Sequence, residues 1–236
     1  MLGPLNYALD EDLITRTART ERLRVFNERC VVGAVSASGG IALLAWVIWA
    51  FVGWAPALSW SLLISLIEAA ILLASLCCRR ALAGQGNPEF WLKTHIVLAG
   101  LAGVAWGSAA WFIWREGDAL SYLAMLTVLV GVAGVSMVTM AAYASAAVLF
   151  FSGIYLLPLL HVLLHASPGA TFLEVGLVFG LIVQMGYTRE LGRVVSRDVE
   201  QYARNAALVE RLHALVIHDQ LTGVLSRRYM FEQMEQ

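Results

Sequence analysis

The chain has 236 residues, of which 59% are apolar and only 14% are charged, and its mean hydropathy is +0.71. A soluble domain contains about 25% charged residues, so this composition excludes an ordinary soluble protein. The net charge of −1 excludes a strongly basic nucleic-acid binder, and the high hydropathy excludes a disordered chain.

The charged residues are concentrated at the two ends of the chain. Ten of the 33 lie in residues 1–30 and fourteen in 189–236, which leaves nine for the 158 residues between them. This distribution predicts a cytoplasmic N-terminal segment (1–30), a membrane domain (31–188) and a polar C-terminal part. The three cysteines, Cys30, Cys77 and Cys78, make no disulfide framework, and we interpret them as apolar fillers in a reducing compartment.

Six apolar segments are long enough to cross a bilayer as helices, which needs about 20 residues each. Polar or Gly- and Pro-containing stretches separate them, such as Gly53 to Pro56, Arg79 to Lys93 and Arg115 to Asp118. The fold class predicted is therefore an all-α membrane protein. The segments are about 31–53, 58–78, 94–114, 119–140, 143–164 and 170–187.

Basic residues predict the orientation of these spans. With an even number of spans and a cytoplasmic amino terminus, all Lys and Arg residues except Arg115 fall on the cytoplasmic side. Both termini are therefore expected in the cytoplasm. The outer connections are a few residues long, so we expect no folded domain there, and a membrane-soluble or small-molecule stimulus would have to be read by the helices or their outer rim.

Several polar residues within the spans are candidates for that sensing role. Glu68 falls near the middle of span two, where an ionised carboxylate costs about 2.5–3.5 kcal/mol, so it is expected to be protonated, paired or facing a cavity. His161 and His165 share one helix face, and Glu174 begins span six. These three fit a metal site, a protonation sensor or simple polar anchoring at the membrane surface.

The eight tryptophans are expected mainly to form an aromatic belt at the span ends. A ligand pocket lined by Trp106 and Trp111 is the less favoured alternative. The full set is Trp46, Trp49, Trp54, Trp60, Trp91, Trp106, Trp111 and Trp114.

Residues 189–217 contain no Pro and only one Gly, which predicts that the last span continues as a cytoplasmic helix about 43 Å long. Its apolar positions alternate at spacings of four and three, as in a parallel coiled coil. An apolar face packed on a following domain explains the same residues, and His213 fits either a polar register device or a pH-sensitive one. The predicted seam is Val195, Val199, Tyr202, Ala206, Val209, His213 and Val216.

The run from His218 to Met230 is the most specific motif in the chain. Asp219 and Thr222 can cap a helix, and Gly223 permits a tight turn. The run resembles the opening of GGDEF domains, the diguanylate cyclase family, which reads D-x-L-T-G-L-x-N-R-R. Val224 and Ser226 depart from that pattern. The matching residues are Asp219, Leu221, Thr222, Gly223, Arg227 and Arg228.

This resemblance implies that residues 218–236 start an α/β catalytic domain that continues beyond Gln236. In the family, two facing domains bind two GTP molecules and join them into cyclic di-GMP with the help of Mg²⁺. The catalytic residues lie downstream of the opening motif, so this chain is expected to hold no catalytic residue or cofactor and to be inactive alone. The resemblance also implies a parallel homodimer in a bacterial inner membrane.

Three other interpretations are weaker or remain open. A degenerate downstream domain would make the protein a non-catalytic receptor that binds cyclic di-GMP or a partner. A transporter would use Glu68 as its coupling site, but it leaves the long helix unexplained. A histidine kinase would place His218 on its phospho-acceptor helix, yet that helix usually carries a Thr-Pro pair and no Pro follows Pro168.

Overall fold

A computed structural model describes residues 4–113, 119–165 and 170–217, with side chains over 11–113, 120–165 and 171–209. These ranges are helical and contain no strand. The helices are α1 (Pro4–Phe51), α2 (Trp54–Leu82), α3 (Pro88–Gly107), α4 (Ala109–Ile113), α5 (Ala119–Met140), α6 (Ala144–Leu164) and α7 (Ala170–Ile217).

Within the described ranges, six helical segments are long and apolar enough to cross a membrane. They correspond to the six predicted spans, with α3 and α4 together forming the third. The predicted connection from Arg79 to Lys93 is too long, because α2 continues to Leu82 and α3 begins at Pro88. The predicted breaks at 115–118 and 167–169 fall outside the described residues.

Local chemistry explains the connection between α2 and α3. Gly84 adopts a φ of 89°, which side chains disfavour, just after α2 ends. The Asn87 side chain then accepts a hydrogen bond of 2.9 Å from the backbone N–H of Glu89 and so caps α3. Pro88 follows the cap, where its missing N–H costs nothing.

The described chain forms two compact units. Residues 23–195 form a helical bundle, and the described parts of 1–22 and 196–236 form the second unit. In the second unit Val199 and Ala203 are buried. The bundle contains the candidate site.

Three glycines bring α3 and α6 into backbone contact within the bundle. A Cβ atom added at Gly103 would lie 2.2 Å from the Phe150 carbonyl oxygen, and one at Gly107 would lie 2.2 Å from the carbonyl oxygen of Gly153. Only residues without a side chain permit this approach. Glycines recur at helical spacing on α3, at Gly103 and Gly107, and on α5, at Gly131 and Gly134. The two on α3 lie against α6, whereas a Cβ atom added at Gly131 would meet no atom within 4 Å.

The tryptophans divide into a surface group and an interior pair. Trp46, Trp49 and Trp54 are more than half exposed, as expected for an aromatic belt. Trp60 and Trp106 are fully buried instead, with edge-to-face rings 5.5 Å apart. The belt prediction therefore fails for this pair, which belongs to the core of the bundle.

Candidate functional site

A cavity of about 400 Å³ lies inside the bundle. Residues of α1, α2, α3, α5 and α6 line it, and most of them are apolar or small. Small-molecule sites have volumes of roughly 300–1,000 Å³ and combine an apolar lining with a few polar groups. The cavity has the size and character of such a site.

Glu68 is the acidic residue of the cavity lining. It stands at the midpoint of α2, and the side chain of Trp106 on α3 lies beside its carboxyl group. The lining includes no Lys or Arg. A carboxyl group is therefore held inside the bundle beside an indole, with no cationic side chain of the cavity to neutralise it.

A buried polar cluster lies where α2 ends and α3 begins. His95 is 2% exposed and also reaches the cavity lining. Its Nδ1 lies 2.8 Å from the Trp91 carbonyl oxygen, which can only accept, so Nδ1 carries the proton. When the ring is neutral, Nε2 accepts from the Ser75 hydroxyl, which lies 3.0 Å away. Asn27 donates from Nδ2 to the Ser75 carbonyl oxygen at 3.3 Å, and the cluster thus joins α1, α2 and α3.

Among the described residues, the exposed part of the cavity lining belongs to α1 and α5, and Glu68 of α2 is half-buried. Ser36 and Leu43 on α1, and Thr127, Gly131 and Val135 on α5, are exposed, whereas the lining residues of α3 and α6 are buried. The cavity therefore opens along the seam between α1 and α5. The surface beside this opening is also apolar, as expected for helices that face lipid.

Helix α5 also contacts the last helix of the bundle. Gln184 on α7 donates a hydrogen bond of 2.7 Å from Nε2 to the carbonyl oxygen of Ala133, on the same helix that walls the cavity. Further along α7, a Cβ atom at Gly192 would lie 2.7 Å from the Ala141 carbonyl oxygen. One helix thus separates the cavity from α7.

The two histidines predicted at the outer end of span five do lie together. The rings of His161 and His165 stack with centroids 4.3 Å apart, and the Trp111 ring packs edge-on against His161 at 4.8 Å. Within the described part of the chain, however, no group of three or more His, Cys, Asp or Glu side chains could hold a metal ion. Glu174 is half-buried on α7 and does not complete such a group.

The residues predicted for the coiled-coil seam have two different environments. Val195 and Val199 are buried within this single chain, whereas Tyr202, Ala206 and Val209 are exposed. The side chains of His213 and Val216 lie outside the described residues. The motif residues Asp219, Leu221, Thr222, Gly223, Arg227 and Arg228 also lie beyond the described chain.

Comparison of the chain with known protein families, with curated proteins and with solved structures gives no match.

Sequence reasoning identified Glu68 but not its surroundings. It did not single out His95, Ser75 or Gln184, each of which hydrogen-bonds to another helix. Their polarity within apolar segments was the available signal, because a polar side chain inside a bilayer needs a partner. Which helix supplies that partner depends on how the helices rotate against each other, and apolar periodicity does not report this in lipid.

Proposed function

We propose that this chain is the membrane sensor and dimerisation module of a bacterial diguanylate cyclase, with both termini in the cytoplasm. The observation that carries the proposal is the run from Asp219 to Arg228, which resembles the opening of a GGDEF domain. It directly follows α7, which continues without a break from a membrane-spanning segment to Ile217. A catalytic domain that follows Gln236 and uses GTP and Mg²⁺ would thus be joined to the bundle through one helix.

Parallel dimerisation through α7 would bring two catalytic domains together. Tyr202, Ala206 and Val209 follow each other at spacings of four and three, and all three are exposed in the single chain. Apolar residues at this spacing form the contact line of coiled coils. Val195 and Val199 are already covered by the chain itself, so we place the dimer contact from Tyr202 onward.

A stimulus would act by favouring one packing of the bundle over another. A ligand shifts such an equilibrium only if it binds one state better. The cavity lies against α5, and α5 is bonded to α7 through Ala133 and Gln184. A change in the position of α5 beside the cavity would therefore be passed to α7 and alter the rotation or register of that helix. The rotation or register of α7 would in turn determine whether the catalytic domains face each other.

The test uses the full-length protein with insertions in α7 after Asn205. Seven residues turn the following helix by about 20°, whereas three residues turn it by about 60°, since each residue advances the helix by about 100°. We expect the seven-residue insertion to retain both cyclic di-GMP synthesis from GTP and the response of that synthesis to the stimulus. The three-residue insertion should change both. Equal activity of the two variants would contradict control by helix rotation.

Two further outcomes separate the proposal from its alternatives. Residues 1–236 alone should make no cyclic di-GMP, and product formed by this chain would contradict the interpretation of the motif. If the full-length protein binds cyclic di-GMP but makes none from GTP, it is a receptor rather than a cyclase.

A further inference from the structure

We propose that the cavity binds a small amphiphile from the bilayer, with a hydrogen-bond-donating head, best an amine, at Glu68 and an apolar body along α3. This inference deepens the proposed function by naming the class of stimulus. Its test measures binding by residues 1–236 and needs no cyclase activity. The site and the signalling role can therefore fail separately.

The opening of the cavity indicates where the ligand comes from. It lies along the seam of α1 and α5, where Ser36 and Thr127 are exposed within a largely apolar surface: Val32, Val35, Leu43, Val130 and Val135 are 54–65% exposed. Surfaces of this kind on spanning helices face lipid. A ligand that reaches the cavity through this opening must first dissolve in the membrane.

The lining indicates what the ligand looks like. On the α3 side the wall is built from Ala99, Ala102 and Trp106, and Phe150 of α6 lies beside them. These side chains offer only apolar surface and one indole N–H. An apolar body fits this wall, and a strongly hydrated molecule would lose its water there without replacement.

Glu68 indicates the chemistry of the head group. Keeping a carboxyl group at the middle of a spanning helix is costly, and the cavity lining includes no Lys or Arg as its partner. His95 is already bonded through both ring nitrogens, to Trp91 and Ser75. An amine provides both hydrogen-bond donors and the missing positive charge, whereas an alcohol provides a donor alone. An alkane provides neither.

The experiment titrates the 236-residue chain in nanodiscs of phosphatidylcholine with a dibrominated long-chain alkylamine. Bromine quenches nearby tryptophans, and the part of the quenching that Trp106→Phe removes reports the cavity. We expect saturable quenching by the amine, weaker binding of the alcohol of equal length, and no saturable quenching by the alkane. Hydrogen bonds to charged groups are stronger than those between neutral groups, so Glu68→Gln should weaken binding of the amine by about tenfold or more. The amine should then bind no more tightly than the alcohol.

A matched pair of variants tests the location. Gly131 lines the cavity and Gly134 does not, yet both lie on α5 and a Cβ atom at either meets no atom within 4 Å. Gly131→Phe should abolish saturable binding, and Gly134→Phe should leave it unchanged. Glu68→Gln, which keeps size and hydrogen bonding, still tests the proposal if Gly131→Phe does not fold.

The results that overturn the inference are equally definite. Quenching that rises linearly with all three probes, and is equal in Glu68→Gln, would mean that ordinary acyl chains occupy the cavity. Saturable binding that leaves cyclic di-GMP synthesis by the full-length protein unaltered would keep the site and refute its signalling role. Regulated synthesis without any probe binding would keep the proposed function and refute the site.

Discussion

Replacing Gly153 by alanine tests whether backbone contact between α3 and α6 holds the bundle together. The new Cβ atom would lie 2.4 Å from the carbonyl carbon of Gly103 and from the backbone nitrogen of Val104, whereas ordinary contact begins at 3.4 Å. The two helices would have to separate locally by about 1 Å, since neither neighbour is a flexible side chain. Overpacking of this kind costs about 1–3 kcal/mol.

The same substitution at Gly134 and at Gly176 provides the control, because a Cβ atom at either position meets nothing within 4 Å. Alanine also stabilises a helix by roughly 0.8–1.0 kcal/mol relative to glycine, and this gain is common to all three variants. The difference between Gly153→Ala and the controls therefore isolates the packing cost. It should equal about 1–3 kcal/mol, or roughly a 5- to 150-fold change in the unfolding equilibrium constant.

Equilibrium unfolding in mixed micelles of dodecyl maltoside and SDS, followed by tryptophan fluorescence, measures this difference. We expect the two controls to unfold at the same SDS fraction as the original chain or at a higher one. Gly153→Ala should unfold at a lower SDS fraction than either control. If Gly153→Ala were as stable as Gly134→Ala, the close crossing of α3 and α6 would be refuted.

In a double-mutant cycle, Ser75→Ala and His95→Phe should couple by about 0.5–1.5 kcal/mol, and additive losses would show that their hydrogen bond contributes nothing to stability. In a chain whose native cysteines are replaced by serine, Ala206→Cys should crosslink two copies more efficiently than Arg204→Cys, and equal crosslinking would remove α7 as the dimer contact. Under the proposed function, Gln184→Leu should change cyclic di-GMP output of the full-length protein while the amine probe still binds the cavity, and unchanged output would exclude this hydrogen bond from signal transfer.

The six spans could be predicted from the sequence because their length and apolar character are set by the bilayer rather than by the neighbouring helices. The continuation of α7 beyond the membrane span could also be predicted, since residues 189–217 contain no Pro and only one Gly. The end of α2 was predicted too early, before Arg79, and the reason is local. Arg79 and Arg80 indicate a polar connection, but they remain helical in the last turns of α2, where cations interact favourably with the helix dipole.

The cavity could not be predicted, and the reason is physical. In water an apolar stripe marks the face that a helix buries, but in lipid the outer face is as apolar as the inner one. Trp106 illustrates this, since the residues around it in its span are apolar on every side, and the sequence does not show that it is buried beside Glu68. Gly131 and Gly103 both belong to series of glycines at helical spacing, but Gly131 lines the cavity and Gly103 lies against the backbone of Phe150.

The glycine crossing of α3 and α6 has a consequence for selectivity. Because these backbones already touch, the wall formed by Ala99 and Ala102 cannot retreat toward α6 to admit a larger molecule. On the opposite side, α1 meets α5 through a side chain, with Val132 filling the space beside Gly40, and side chains can change rotamer. We therefore expect the cavity to tolerate variation in the part of a ligand that lies between α1 and α5, and to reject even one added methyl group on the part that faces α3.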